Sequence, residues 1–179
     1  MMPMQPSPDP VNDALAYQQS LLAALGDDDP AKVQSHGPAD ARALIAEAGA
    51  DLRTRPEPGE WSVLLCIGHM TDGEIVMTAR YRWVLAHDEP ELIGYDQDLW
   101  ANKLHGDDDP EQLLAHFEAL RTANIALWRT SSEADRARVG IHRERGPESF
   151  DLMFRLLAGH DRVHLAQARR ALEAVRRRS

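Results

Sequence analysis

The segment "AGHDRVHLAQ" at 158–167 places His160 and His164 four residues apart, just behind the apolar run "FDLMFRL". On a helix of 3.6 residues per turn, such positions lie about 40° apart around the axis. Both imidazoles therefore share the stripe of Met153, Leu156, Leu157, Gln167, Ala171 and Val175. Burying two imidazoles there is costly unless they are hydrogen-bonded or bound to something. A pair at this spacing can turn two ring nitrogens toward one ion. A second helical pattern, from Ser62 to about His87, carries the stripe Leu65, Cys66, His69, Gly73, Val76, Arg80 and Trp83. His69 interrupts that face. Gly73 costs about 1 kcal/mol relative to alanine in mid-helix, and reads as leaving room beside His69. Asp72 borders the same face and could orient an imidazole or a water. Cys66, one turn before His69, could lend sulfur to an ion but reads better as a small buried hydrophobe. Three neutral histidines leave coordination positions for water or substrate, as catalytic metal sites do. They suit one divalent ion, zinc or nickel first, with iron and manganese tolerated.

The other histidines separate by context. His36, His87, His105 and His116 occupy no inward stripe and are expected at the surface. His142, in the loop "GIHRERG", is free to approach the site or to cap a helix. "HDRVH" copies the H-E-x-x-H protease pattern with Asp161 in place of the glutamate. Aspartate is a methylene shorter, only 15 residues follow His164, and no sheet is expected, so peptidase activity is disfavoured. Asp161 lies about 100° from His160 around the helix, and its replacement by asparagine is expected to be nearly silent.

The elements that must carry these residues read as helical almost throughout. Leu15, Leu22 and Leu25 mark a first helix. After "GDDDP" comes a short helical stretch, then "PADARALIAEAGADL" with Leu44, Ile45, Ala48 and Leu52 on one face. "RTRPEPGEW" is a loop, and Ser62 caps the helix that follows. A mixed stretch with a short helix leads to a helix from Pro110 to about Ser131, with the inward stripe Leu113, Phe117, Leu120, Asn124 and Leu127. A loop with at most one helical turn follows, and the last helix starts near Pro147 or Ser149. "GDDDP" occurs at 26–30 and 106–110. Asp29 and Asp109 suit N-caps, with Pro30 and Pro110 at the first helical position. That explains the repeat better than an acidic metal loop does. Four long helices with irregular connections make an all-α helix bundle with extra short helices.

Composition narrows the function. The chain of 179 residues carries 29 acidic and 20 basic residues, a formal charge of −9, which opposes nucleic-acid binding. The terminal "RRALEAVRRRS" is a local exception that suits a helix C-terminus. One cysteine excludes an internal disulfide and fits a cytoplasmic location. The proline-rich residues 1–10 read as a flexible tail, not a secretory signal, and 11–179 as a single domain. No apolar run approaches the roughly 20 residues of a membrane span.

Taken together, "PGEWSVLLCIGHMTDGE" at 58–74, "DQDLWA" at 96–101, "ALRTANIALWR" at 119–129 and "GIHRERGPESFDLMFRLLAGHDRVHLAQARR" at 140–170 resemble the DinB superfamily. The resemblance runs from about residue 13. It implies an antiparallel four-helix bundle, a divalent metal on His69, His160 and His164, and a homodimer. It also implies a low-molecular-weight thiol as partner, as in relatives that transfer bacillithiol or mycothiol. The first expectation is therefore a metal-dependent thiol S-transferase acting on an electrophilic substrate, with Arg80 or Arg162 holding a carboxylate of the thiol. A small-molecule hydrolase or isomerase is the alternative, and a non-enzymatic, stress-linked metal protein the third. Leu65 departs from the family, where a glutamate often stands; this removes a capping partner, not a ligand.

Overall fold

The computed structural model describes residues 13–178; the expected tail at 1–10 lies outside them. The helices are α1 (Ala14–Leu25), α2 (Pro30–Ala48), α3 (Val63–Ala86), α4 (Gln97–Leu104), α5 (Pro110–Thr130), α6 (Glu133–Ala137) and α7 (Phe150–Arg176). Their starts follow the capping logic. Asp29 accepts from the amides of Ala31 and Lys32, and Asp109 from those of Glu111 and Gln112. Ser62 and Ser149 cap α3 and α7. The aspartates ahead of these caps have work too, since Asp28 pairs with Arg162 and Asp108 with His105.

The four long helices α2, α3, α5 and α7 form the bundle, in which α7 packs on α2 and α3, and α5 on the same two. Cross-helix contacts fix their directions. Tyr81 meets Phe150 and Phe154 while His69 meets His160 and His164, so α3 and α7 are antiparallel. Arg42 reaches Glu111 and Glu118 while Gln34 meets Arg121, so α2 and α5 are antiparallel as well. The two antiparallel pairs lie side by side, with α2 and α7 running in one sense, as contacts from Gln34 to Phe154 and from Arg176 to Glu47 show. Helix α1 packs along α7, and α4 against α3.

Pro38 does not split α2 as its sequence suggests; one helix runs through it. Proline lacks an N–H, so the carbonyl of residue 34 loses its helical partner. Nη1 of Arg121 takes that carbonyl at 3.0 Å. The defect in one helix thus becomes an acceptor for a buried guanidinium in another. On α5 this turns the inward stripe: Arg121, Ile125 and Trp128 are buried, whereas Leu120 and Leu127 are only half-buried.

A small sheet corrects the expectation of no strands. Strands β1 (Glu91–Leu92), β2 (Val139–His142) and β3 (Gly146–Ser149) lie in the order β1-β2-β3. The first two pair in parallel with Leu92 opposite His142, and the last two form an antiparallel hairpin with Val139 opposite Ser149. The reversed pattern of β2 hid it: Gly140 and His142 point inward, and Ile141 is 38% exposed. Gly140 is required because a Cβ there would press into Leu92, 2.8 Å away.

Candidate metal centre

The antiparallel packing of α3 on α7 brings His69 to the pair on α7. One ring nitrogen from each of His69, His160 and His164 lies within 4.8 Å of the others. Nε2 of His69 and Nε2 of His160 are 2.8 Å apart. All three rings are buried. Burial pushes the pKa of His69 and His160 well below the ordinary histidine value, helped by the neighbouring imidazoles, and pulls that of His164 down to about 4. The rings are therefore neutral, the form that donates a lone pair to a metal.

The tautomers fit a cation as well. Gln167 Oε1 lies 2.9 Å from His164 Nδ1. An amide oxygen only accepts, so the proton sits on Nδ1 and Nε2 is free to bind. Nδ1 of His69 and of His160 are buried without partners. With protons there, the facing Nε2 lone pairs of the two rings repel, and a cation between them removes that conflict. The donor set of three imidazoles suits a divalent ion. Among the described residues this is the cluster with metal-holding geometry.

Around the triad the structure redistributes several expected roles. Gly73 faces His160, not His69: an added Cβ would sit 3.4 Å from His160 Cε1, in ordinary van der Waals contact. Asp72 orients an imidazole, but that of His105, whose Nε2 is 2.8 Å away. His105 is buried, contrary to the surface expectation, and its other nitrogen lies 2.6 Å from Asp108. Gly68 permits this by its missing side chain. Cys66 packs in the apolar core, where burial pushes its thiol up to about 12; it is not among the converging donors. Arg162 is tied to the last carbonyls of α1, at Ala24 and Leu25, rather than placed at the site. Trp61, part of the motif that carried the resemblance, was not among the expected site residues. Its ring stands 4.9 Å from His69 and 6.0 Å from His164, one residue before the Ser62 cap.

Asp161 faces the core between α2 and α5. Both its oxygens meet Arg121, whose Nε also donates to Glu74 at 2.8 Å. Asn124 donates to the other oxygen of Glu74. Gly37 lets this cluster lie against α2, since a Cβ would approach Asp161 Oδ2 to 3.1 Å. The expectation that Asp161 is idle is thus overturned. A position about 100° from the ligand stripe faces another helix in a four-helix core, not solvent.

His69 and His160 form part of the wall of a cavity of about 600 Å³. Gly73, Val76 and Leu157 supply apolar surface, Tyr17 and Leu21 come from α1, and Tyr95 stands with its ring 6.4 Å from His69. The β2–β3 hairpin adds His142, Glu144 and Arg145. Burial and the charges of Arg145 and Arg80 pull the pKa of His142 to about 4, so it is neutral. Arg80 lies on the same wall, 3% exposed.

A helical bundle with a buried tri-histidine cluster beside a half-open cavity has the geometry of a metal-centre class of protein. Residues 35–168 match the DinB superfamily, and the chain belongs to it. Two proteins of Oceanobacillus iheyensis, OB0782 and OB0413, each named "Putative metal-dependent hydrolase", are 29% and 24% identical over 115 and 114 residues. Each match covers 64% of this chain, and 67% and 66% of the respective relative. The solved structure of YfiT from Bacillus subtilis, described as "a probable metal-dependent hydrolase with an unusual four-helix bundle topology", aligns with a TM-score of 0.73. It shares 20% identity, with 98% of this chain and 93% of that chain covered. The likeness to YfiT establishes the four-helix fold. No helix among the described residues is long and apolar enough to cross a membrane.

Proposed function

We propose that this protein is a metal-dependent hydrolase of a small molecule, with the ion held by His69, His160 and His164. The observation that carries this is the convergence of three neutral imidazoles, two of them at the wall of a cavity of about 600 Å³, a volume suited to a metabolite-sized ligand. A bound divalent ion supplies Lewis acidity and a water ionised near neutral pH. The chain supplies the rest. His69 and His160 present their donors at the cavity wall, Gln167 holds the proton of His164 away from the centre, and Trp61 covers the rings from the side. The names of both Oceanobacillus relatives and of YfiT favour hydrolysis over the thiol transfer first expected from the sequence.

The test is a panel of small esters, lactones and amides, run beside a panel of thiols with a generic electrophile, on protein loaded with zinc or nickel. Hydrolysis without added thiol, lost in His160→Ala, is the expected outcome. Turnover that appears only with a thiol would restore the transferase reading. No turnover with either metal would leave a non-enzymatic metal protein.

A further inference from the structure

Two arginines are buried among the described residues, and they are treated differently. Arg121 meets two carboxylates. Arg80, 3% exposed, is in no ion pair among the described residues. Its Nη2 donates to the Ile93 carbonyl at 2.5 Å and to His142 Nε2 at 3.2 Å, both neutral acceptors, and its Nε has no partner at all. A buried guanidinium stays charged, and an uncompensated buried charge is strongly unfavourable. Arg80 also lines the cavity that His69 and His160 border. The two α3 residues are eleven positions apart, about 20° around the helix and roughly 16 Å along it. One cavity thus has the histidines toward one end and an unpaired cation toward the other.

We propose that Arg80 receives the carboxylate of the substrate, so that the molecule hydrolysed at the histidine end is a small carboxylic acid derivative ionised at its far end. This names the substrate class for the hydrolase reading and rests on it. The neighbouring charges select a monoanion. Arg145 is already paired with Glu148 through two contacts, at 2.5 and 3.1 Å. Glu144 lies 2.9 Å from His142 Nδ1, and Asp96 caps α4. With Asp96, Asp98 and Glu144 also on the wall, no positive charge besides Arg80 is left for a ligand, which suits a carboxylate and opposes a phosphate dianion. The planar fork of arginine also matches a carboxylate geometrically. His142 is the positioning residue. Its Nε2 lies 3.2 Å from Arg80 Nη2, and its Nδ1 is met by Glu144, through the backbone N–H at 3.3 Å and the carboxylate at 2.9 Å. The β2–β3 hairpin therefore holds the guanidinium in place from outside the helix that bears it.

The test is calorimetric titration with hexanoate, hexanamide and hexylphosphonate. It is run on the zinc-loaded protein and on the full chain carrying His69→Ala, which separates the anion site from any carboxylate bound to the ion. Hexanoate is expected to bind both proteins, with hexanamide and hexylphosphonate at least about tenfold weaker. Arg80→Met is expected to lower hexanoate affinity at least tenfold in both backgrounds and leave hexanamide unchanged. Arg80→Lys keeps part of the preference and guards against a folding defect, checked by a cooperative melt. His142→Ala lowers hexanoate affinity by a smaller factor. Equal binding of hexanoate and hexanamide would overturn the proposal, as would hexanoate binding that survives Arg80→Met. Tighter binding of hexylphosphonate would overturn the monoanion selection. If Arg80-dependent binding is found but no ester is hydrolysed, the hydrolase reading falls and the carboxylate site stands.

Discussion

Asp161→Asn is the substitution on which sequence and structure disagree most sharply. The side chain is 1% exposed and meets Arg121, itself 1% exposed, through both oxygens. Removing one member of a buried ion pair costs about 3–5 kcal/mol. Two features reduce the loss here. Glu74 remains 2.8 Å from Arg121 Nε. Burial also raises the pKa of both Asp161 and Glu74 despite the guanidinium between them, so the two carboxylates carry more negative charge than one arginine offsets, and removing one relieves that excess. Against this, the new amide sets N–H groups against a guanidinium that can only donate, at about 1–3 kcal/mol for the lost satisfaction. A net loss of about 2–3 kcal/mol follows. For a chain of this size, each kcal/mol moves Tm by about 2–4 °C, so the variant should melt about 4–12 °C lower. Circular dichroism melts and urea unfolding, at equal metal content, would read this directly. A variant within about 0.5 kcal/mol of the wild type, as an ordinary surface change would be, refutes the reasoning and makes the cluster structurally idle.

Gln167→Ala frees the proton of His164 and should weaken metal affinity about 10–100-fold at unchanged helix content, measured by competition with a chromogenic chelator. Chelation of the ion should lower Tm by linkage and leave far-ultraviolet dichroism intact at room temperature; loss of helix on chelation would contradict the leucine-rich core as the source of the fold. His105 carries a pH signature. Burial lowers its pKa, but its hydrogen bonds to Asp72 and Asp108 and their charges outweigh this, so the folded value is raised. Its stabilisation is then fully present below about pH 6.5, the unfolded value, and is lost as pH rises through the folded value. The Tm difference between wild type and His105→Gln should shrink between about pH 6 and pH 9, and a difference independent of pH would sink the assignment. Gly159→Ala places a Cβ onto the Leu21 carbonyl where α1 crosses α7. Overpacking against rigid backbone costs about 1–3 kcal/mol or more, read as a lower melting temperature; an unchanged one would show that α1 moves freely.

Features that depend on local chemistry could be read from the sequence. Asp29, Ser62, Asp109 and Ser149 cap helices because a short acceptor before a helical run has few other uses. The triad was readable because His69, His160 and His164 each sit on an apolar face, where only a partner or an ion justifies them. Pro38 misled because its effect is settled elsewhere: the carbonyl it orphans is satisfied by Arg121, 87 positions along the chain. The hairpin at 139–149 stayed hidden because its inward positions are a glycine and a histidine, which no alternation of apolar residues announces.

Charged residues were the hardest to place, and the reason is physical. A helical wheel assigns a charge to solvent by default, yet Asp72, Glu74, Arg80, Arg121 and Asp161 are all buried. Four of them are buried because a partner on another helix or loop meets them, and that partner is invisible at the level of one helix. Arg121 needs Glu74 from α3, Asp161 from α7 and the free carbonyl of α2. Its single side chain pins three helices, which gives this bundle a specific arrangement that leucine stripes alone would leave open. Arg80 is the exception that makes the comparison useful. It is as buried as the others, but its hydrogen bonds go to neutral acceptors, and the nearby Glu148 carboxylate is already held by Arg145. The same desolvation cost that explains the Arg121 cluster is left open at Arg80, at the wall of the cavity. Among these five buried side chains Arg80 alone makes no hydrogen bond or ion pair with a titratable partner of opposite charge, and it stands at the cavity wall, which points to a ligand as the missing partner.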